Sequence, residues 1–520
     1  MVETRESTRP VRVLLYSDME SIVPHCVAAA EILRRELGAH IVMLVGDTIA
    51  CSDPAFSNYD LYDHKSVFRL SKRCEPIKPS RSGSNGSPNS SSKAGLSNDG
   101  GTGSPIATVD PYTRTRWSHL QKFLARFKMV KASYRRFRAF RESELGLSLA
   151  YLPKAMLRAF FVPRFLRAVR PDLMILAEDN IERMSTTLIS EGRKRSIPSI
   201  IIPFTIPNPL EGFRAYRHLK LHQVKGPLAR ILSWWNPKWV FGADGQSLLR
   251  IPAFSAMVLE LFGQSSPAPW VLNRGRASRI ALDSEALRST YLKLGFPPEQ
   301  LCVVGDVNSE KLWAGLKERE RKLADLSARL GFKIGLPLIL CGFPPDQFAN
   351  NSDDFEFNDY EPLIKGWMGT FSSIADRANI LIRPHPRVRP ERYDALKAPN
   401  VYFTLEPTIE LIPLCDLYVA SISATIRWAL ACGIPVINYD TYRYRYGDYD
   451  GAVGLSHTET LSEFRDLLDR FVSDPAYAAD LTQRQMNARR HWGAVDAKLA
   501  ERFAALVREV IMESRLGNWK

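Results

Sequence analysis

The amino-acid sequence predicts an α/β protein made of two doubly wound domains, and three observations lead to this fold class. Short apolar runs at 11–16, 173–177, 380–382 and 417–420 have the length of strands buried on both faces of a parallel sheet. Segments with helical periodicity or a polar turn follow these runs along the chain. The chain has 520 residues. Because one hydrophobic core rarely serves so long a chain, two domains of roughly 200 to 250 residues are expected.

The first expected domain contains a low-complexity insertion, and the second begins with a charged helix. The first spans 1–304 and contains a stretch at about 75–110 that is rich in Ser, Gly, Asn and Pro. This composition cannot bury enough apolar surface to offset the entropy of ordering, so we expect a disordered insertion. The second domain spans 305–500 and opens with a charged helix predicted over 309–330. A last segment, 501–520, is expected to be helical and to cross back to the first domain.

The predicted elements alternate between strands and helices, as in doubly wound sheets. In the first domain, strands are predicted at 11–16, 40–46, 173–177, 199–203 and 301–304, and helices at 24–37, 153–169 and 283–294. In the second domain, strands are predicted at 336–341, 380–382, 417–420 and 436–438, and closing helices at 460–472 and 499–513. Residues 205–279 contain several Trp and Pro residues, and we expect them to wall a cleft or to contact an acceptor molecule.

Composition and cysteine usage limit the class of protein. The sequence is 45% hydrophobic and 24% charged, as in globular proteins that function in water. No apolar run reaches the roughly 18 residues of a membrane-spanning helix, and residues 1–18 contain no hydrophobic signal-peptide core. Seven cysteines are scattered without a CxxC pair, which suits reduced thiols. The expected location is the cytoplasm.

The net charge of +14 is concentrated in a basic segment at about 113–141. Between 114 and 141 the sequence has ten Lys or Arg residues and no acid, interleaved with aromatic residues at helical spacing. A helix of this kind lies on an anionic membrane surface in some proteins, and in others packs its aromatic face on a domain. No nucleic-acid-binding signature accompanies it, so nucleic acid is not an expected partner. Contact of this segment with the inner face of the plasma membrane, as in a peripheral membrane protein, is one of the two interpretations.

Polar side chains cluster just past the ends of predicted strands in the second domain. In an open α/β sheet this edge is where ligands bind. A helix predicted to open at Ser423 or Ala424 would aim backbone N–H groups at such a ligand, which favours phosphate. Ordinary helix capping would need only one hydroxyl there. The candidate residues for binding such a ligand are Arg383, Glu406, Thr408, Ser421, Ser423 and Thr425.

A histidine at the end of one predicted strand is the main candidate for contact with a leaving phosphate. His385 stands between Pro384 and Pro386, and the two prolines restrict the backbone around it. An imidazole held in this way can donate a hydrogen bond to a phosphate oxygen. The alternative is a turn histidine that caps the strand end. Because other polar residues share this edge, the sequence favours a functional role.

Two carboxylates follow a buried strand of the first domain. Glu178 and Asp179 come directly after the apolar run at 173–177. Paired carboxylates raise one another's pKa, which can leave one of them ready to act as a general base. The alternative is that they cap the following helix. The sequence does not decide between these two roles.

No metal ion or other cofactor is expected. The triplet Asp448-Tyr449-Asp450 matches a short metal-binding pattern, but it follows a loop rich in Tyr and Arg and not a strand end. This loop is interpreted either as a clamp on a substrate or as a surface excursion. The sequence also lacks the Walker A, GxGxxG, GxSxG and HExxH motifs, which removes most support for kinases, dehydrogenases, serine hydrolases and zinc proteases.

The second domain resembles the glycosyltransferase-B clan over about 303–440, and more narrowly its bacterial surface-polysaccharide branch of sialyltransferases, Kdo transferases and polyol-phosphate transferases. Enzymes of this branch carry a His-Pro motif, matched by His385 and Pro386. They also carry a serine/threonine pair before a helix, matched by Ser421 with Ser423 or Thr425. The sialyltransferases add an acidic pair followed by Gly, which Glu178 and Asp179 match except that Asn180 replaces the Gly.

The resemblance implies two Rossmann-like domains that face a central cleft. It also implies a nucleotide-sugar donor, a saccharide or lipid-linked acceptor, and transfer that is metal-independent and inverting. His385 would contact the donor phosphate, and Asp179 or Glu178 would be the catalytic base. Retaining relatives are disfavoured because 423–432 contains no acid. An isomerase or hydrolase similar to UDP-N-acetylglucosamine 2-epimerases, and a catalytically silent nucleotide-sugar-binding protein, are the alternatives.

Overall fold

The computed structural model describes residues 9–46, 49, 56–68, 144–333, 335–348, 354–385 and 398–517, with the backbone alone for 144–150. The predicted insertion at 75–110 and the predicted basic helix at 113–141 therefore lie outside the described residues. Within these residues the chain forms two parallel sheets, one of seven strands and one of six, and a small antiparallel hairpin. The predicted fold class, α/β with two Rossmann-like domains, is confirmed.

The sheet of the first domain has the strand order β3-β2-β1-β4-β5-β8-β9, with every neighbouring pair parallel. Strands β6 and β7 form the hairpin. In chain order the strands are β1 (Arg12–Ser17), β2 (His40–Val45), β3 (Asp60–Asp63), β4 (Leu173–Leu176), β5 (Ser199–Ile201), β6 (Val240–Ala243), β7 (Gln246–Leu249), β8 (Arg279–Leu282) and β9 (Leu301–Val303).

Helices cover both faces of this sheet, which explains why the central positions of strands such as β1, β2 and β4 are apolar. The helices are α1 (Val23–Leu37), α2 (His64–Phe68), α3 (Glu144–Val169), α4 (Ser185–Arg193), α5 (Pro209–Tyr216), α6 (Pro227–Trp235), α7 (Ala253–Leu261) and α8 (Glu285–Lys293). Along β1, Val13 and Leu15 face the core that contains α1, whereas Leu14 and Tyr16 face the core that contains α3 and α4.

The second domain repeats the same plan with strand order β12-β11-β10-β13-β14-β15, again all parallel. Its strands are β10 (Leu338–Gly342), β11 (Asn379–Arg383), β12 (Val401–Phe403), β13 (Leu417–Ala420), β14 (Val436–Tyr439) and β15 (Leu455–Thr458). Its helices are α9 (Ser309–Lys317), α10 (Arg319–Leu330), α11 (Tyr360–Ser372), α12 (Thr408–Leu411), α13 (Ile426–Cys432), α14 (Leu461–Ser473) and α15 (Pro475–Trp492), and the chain ends with α16 (Leu499–Arg515). The single helix predicted over 309–330 is wrong, because the chain breaks at Glu318 into α9 and α10.

Helix α16, the last of the chain, packs in the first domain. Phe503, Val507 and Val510 are fully buried in the same core as β1 and α1. Arg279 of β8 adds an ion pair with Glu513 at 2.8 Å. Within the described residues, none of the helices combines the length and hydrophobicity that a membrane crossing requires.

The carboxyl edges of the two sheets face each other. Two of the contacts between the domains come from residues that follow strands at this edge. Asp283 follows β8 and pairs with Arg427 of α13, the helix after β13. Asn208, in the connection after β5, donates to the carboxylate of Asp448, in the loop after β14, at 2.8 Å. The two carboxyl edges are therefore held against one another.

Candidate functional site

Each sheet has one point where the chain reverses its direction of strand addition. In the first domain β2 and β3 are added on one side of β1, and β4 is then added on the other side. In the second domain β11 and β12 lie on one side of β10, and β13 lies on the other. Ligands of open α/β sheets bind in the crevice outside the carboxyl ends at such a switch point. A ligand site of this fold is therefore expected at the β1/β4 and β10/β13 switch points.

The β1/β4 switch point carries two buried carboxylates, Asp18 after β1 and Glu178 after β4. Glu178 accepts a hydrogen bond from Asn180 Nδ2 at 3.3 Å, and Arg183 Nε lies 3.4 Å from Asp18 Oδ2. Burial, and after it the negative charge of Asp18, raises the pKa of Glu178 to about 7. A carboxylate with this pKa exchanges its proton near neutral pH, as a general base must.

Asp179, the other member of the predicted acidic pair, is enclosed within the first domain. Its Oδ1 accepts from Thr186 at 2.6 Å, and its backbone N–H donates to Asn273 Oδ1 at 2.8 Å. Its Oδ2 is buried and has no hydrogen-bond partner among the described residues. Burial raises the pKa of Asp179 to about 6. A Cβ atom at Gly275 would overlap Asp179 Oδ2, so the loop before β8 closes directly over this carboxylate.

The β10/β13 switch point is formed by the turn that follows β13. Ser421 begins this turn, and its hydroxyl is buried without a hydrogen-bond partner among the described residues. Ile422 adopts the left-handed backbone conformation (φ 43°), and its N–H donates to Asn438 Oδ1 at 2.9 Å. This strained conformation is costly for a branched residue, and such conformations concentrate at functional turns. Asn438, in β14, holds the turn in place.

The hydroxyls of Ser423 and Thr425 bind one another at 2.7 Å, and the Tyr418 hydroxyl lies 2.6 Å from Thr425 Oγ1. These two hydroxyls are therefore engaged inside the protein. The prediction that a helix opens at Ser423 or Ala424 is wrong, because α13 begins at Ile426 and has seven residues. These hydroxyl contacts stabilise a turn at the place where the sequence predicts the first turn of the helix. The short helix that begins after this turn gives less support for phosphate binding at its N-terminus.

His385 and Arg383 lie at the exit of β11, one strand away from the β10/β13 switch point. His385 is half-buried. Arg383 donates through Nε to the Glu406 carbonyl at 2.8 Å and through Nη1 to the Pro384 carbonyl at 2.5 Å. The guanidinium therefore ties the β11 exit to the turn after β12. Pro386 lies outside the described residues.

Glu406 and Thr408 belong to the turn after β12, at the end of the sheet. The Glu406 carboxylate accepts from Arg329 of α10 at 2.7 Å on the protein surface. Thr408 is the first residue of α12 and is partly buried. The structure thus brings the Glu406 backbone to Arg383 but directs its carboxylate to α10.

The tyrosine-rich loop at 441–450 is packed in the protein, so its interpretation as a surface excursion is wrong. Tyr442, Tyr444 and Tyr449 are all less than 10% exposed. The Tyr446 carbonyl and the Asp448 carboxylate both accept from Asn208 of the first domain. The loop therefore forms part of the domain interface.

Three side chains approach the spacing of metal ligands: Asp440 after β14, His457 in β15 and Glu459 after β15. Their fit to a divalent ion is poor. Arg445 forms a bidentate pair with the Glu459 carboxylate. Asn438 Oδ1 accepts a hydrogen bond from the Ile422 N–H, so the other side-chain atom of Asn438, Nδ2, faces His457 Nδ1 at 3.2 Å. Because Nδ2 is a donor, His457 Nδ1 accepts, and the proton of the neutral imidazole lies on Nε2. Nε2 is the atom through which a metal would have to bind.

The sequence interpretation missed Asp18 and Asn438. Asp18 directly follows the first apolar strand, so the rule that selects Glu178 would also have selected it. Asn438 lies inside a strand, and its role depends on a contact with Ile422 that the sequence does not reveal.

No protein-family model and no curated protein matches the sequence. Among solved structures, the chain is similar to a UDP-GlcNAc 2-epimerase from Neisseria meningitidis bound to UDP-GlcNAc, with 10% identity, coverage of 97% of this chain and 100% of that chain, and a TM-score of 0.48. The wall teichoic acid polymerase TagF shows 9% identity, 97% and 90% coverage, and a TM-score of 0.47. The glycotransferase of kitacinnamycin shows 14% identity, 97% and 100% coverage, and a TM-score of 0.48.

Proposed function

We propose that the chain is a glycosyltransferase that moves a sugar from a nucleotide-activated donor to a hydroxyl of a saccharide or lipid-linked acceptor. The proposal rests on one arrangement: two switch points on facing carboxyl edges, one with Asp18 and Glu178 and the other with Ser421, and His385 at the exit of β11 on that second edge. The first edge offers a proton acceptor, and the second offers hydrogen-bond donors for a phosphate. Transfer between two bound substrates needs both.

The donor would bind at the second domain. His385 and the Ser421 hydroxyl would donate hydrogen bonds to the donor phosphate as negative charge develops on it. The turn with Glu406 and Thr408 would lie beside the base or ribose, where Arg383 supports its backbone. No metal ion or other cofactor takes part in this scheme.

The acceptor would bind at the first domain, with Glu178 as the base. Its carboxylate would take the proton of the acceptor hydroxyl, whose oxygen then bonds to the anomeric carbon. The bond between this carbon and the phosphate oxygen would break, and the phosphate would keep the electron pair. Attack from the face opposite the phosphate inverts the configuration. Asp179 suits this role less well than Glu178, because Thr186 and the loop at Gly275 enclose its carboxylate.

A thermal-shift screen against CMP, CDP, UDP, GDP and their sugars, with and without EDTA, tests the donor site. A ligand that binds the native state raises the melting temperature. We expect one nucleotide to stabilise the chain regardless of EDTA. We also expect the shift to be lost in His385→Ala and kept in His218→Ala, which removes an exposed histidine of the first domain.

The same preparation distinguishes the alternatives. Consumption of the nucleotide sugar without an acceptor indicates an isomerase or hydrolase. Binding without turnover under any acceptor condition indicates a silent binding protein. A flat response to every nucleotide contradicts the donor site itself.

A further inference from the structure

We propose that helix α6 is a docking surface for an anionic lipid bilayer. The inference concerns an outer surface of the first domain, and it does not depend on the proposed reaction. The inner face of α6 is anchored in the protein, since Ala229 and Leu232 are buried in a core cluster with Leu249 and Leu259. The helix is therefore a fixed part of the domain.

The outer face of α6 carries a stripe of large apolar side chains. Leu228 is 48% exposed, Ile231 53%, Trp235 59% and Trp234 85%. Leu228, Ile231 and Trp235 follow the i, i+3, i+7 spacing of one helical stripe, and Trp234 lies beside it. A helix at a protein–water surface ordinarily carries polar residues on this face. A stripe of large apolar side chains marks a surface that binds another apolar phase.

The sequence around this stripe is basic throughout. Residues 212–243 contain six Lys or Arg and no Asp or Glu. Lys220, Lys225 and Arg230 are exposed, whereas Lys238 pairs with Glu260 at 2.9 Å. An anionic membrane surface has phosphate headgroups on the outside and acyl chains below them. The exposed cations would contact the headgroups, and the apolar stripe would contact the acyl chains. Tryptophan favours this boundary, because its ring is apolar and its indole N–H is polar.

The charge also argues against two other occupants. The segment at 113–141 is itself basic, with ten Lys or Arg and no acid between 114 and 141, so it is repelled by the surface around α6. A second copy of the chain on the same face would bring two copies of the basic segment at 212–243 together. A bilayer with anionic lipids supplies the opposite charge.

Vesicle flotation of the full chain tests the proposal. We expect the protein to float with phosphatidylcholine vesicles that contain phosphatidylglycerol, and to float much less with phosphatidylcholine alone. The double variant Ile231→Ser/Trp234→Ser should lower the bound fraction about tenfold or more, because each side chain loses its apolar burial. Met512→Ser, which changes a 59% exposed residue of α16, should leave binding unchanged. Equal binding of the double variant and the native chain would overturn the proposal.

Quenching of tryptophan fluorescence by brominated lipids identifies the inserted helix directly. We expect brominated anionic vesicles to quench the native chain, and Trp234→Phe/Trp235→Phe to lose the quenched component while it still floats. Trp117, in the basic segment, is unchanged in this variant. Undiminished quenching would assign insertion to another part of the chain and overturn the proposal. A dimer that the double serine variant dissociates, without vesicle binding by the native chain, would also overturn it.

Discussion

Arg427 Nη1 lies 3.0 Å from Asp283 Oδ2, and this contact joins the two domains inside their interface. Arg427 is 5% exposed and also lies 3.5 Å from Asp306 Oδ2, which accepts from Trp428 at 3.0 Å. Burial acts to raise the pKa of Asp306, but Arg427 and other favourable contacts outweigh it and hold that pKa below its usual value. Arg427 thus neutralises Asp283 of the first domain and Asp306 of its own, second domain.

Replacement of Arg427 should weaken the association of the domains. Arg427→Met leaves Asp283 and Asp306 buried without their cation, and the loss of one partner from a buried ion pair costs about 3–5 kcal/mol. We expect a loss of free energy of unfolding of this size in urea denaturation at neutral pH. Arg321→Met, at an arginine side chain that is 66% exposed, is the control and should change little. Equal stability of the two variants would show that Arg427 does not hold the interface.

Glu178 should reduce the stability of the protein at neutral and higher pH. Burial, together with Asp18, raises its folded-state pKa from 4.5 to about 7. Between these values the unfolded chain loses the proton first, so the native stability falls as pH rises from about 4.5 to about 7. Glu178→Gln should therefore add about 3 kcal/mol to the free energy of unfolding at pH 8 and nothing below pH 4. Glu299→Gln, at an exposed site, should add nothing at either pH.

The pH dependence of transfer should follow the same carboxylate. If Glu178 is the base, kcat/KM rises with pH through about 7, because only the ionised form accepts the acceptor's proton. Asp18→Asn removes a negative charge that raises the pKa of Glu178, so the rise should move to lower pH. Asp244→Asn, in the exposed hairpin turn, should leave the profile in place. A profile that Asp18→Asn does not move would argue against Glu178 as the base.

The enclosure of Asp179 predicts a strong effect at Gly275. A Cβ atom there would overlap Asp179 Oδ2, so Gly275→Ala must displace the carboxylate or its loop. We expect the free energy of unfolding to fall by about 2 kcal/mol or more. Gly369→Ala in α11 is the matched control, since its Cβ meets no atom within 4 Å and helix propensity should add about 0.5–1 kcal/mol. A stable Gly275→Ala variant would show that the loop does not hold Asp179.

The sequence predicts the sheets well because a strand such as β13 is apolar at every position, and this pattern is local. The details of the site depend on contacts between distant residues. The start of α13 is displaced by the bond from Ile422 to Asn438, 16 residues away, which fixes a turn where the sequence favours a helix. Glu406 is directed away from the edge by Arg329, 77 residues away. No pattern in either segment reveals these partners.

Amide hydrogen exchange with the nucleotide that stabilises the chain tests the central claim, that the two facing edges form one site. With nucleotide alone, we expect slower exchange in the turn at 421–425 and at the β11 exit around His385. With nucleotide sugar and acceptor together, slower exchange should extend to 178–183 in the first domain. Protection confined to surfaces away from both switch points would contradict the claim.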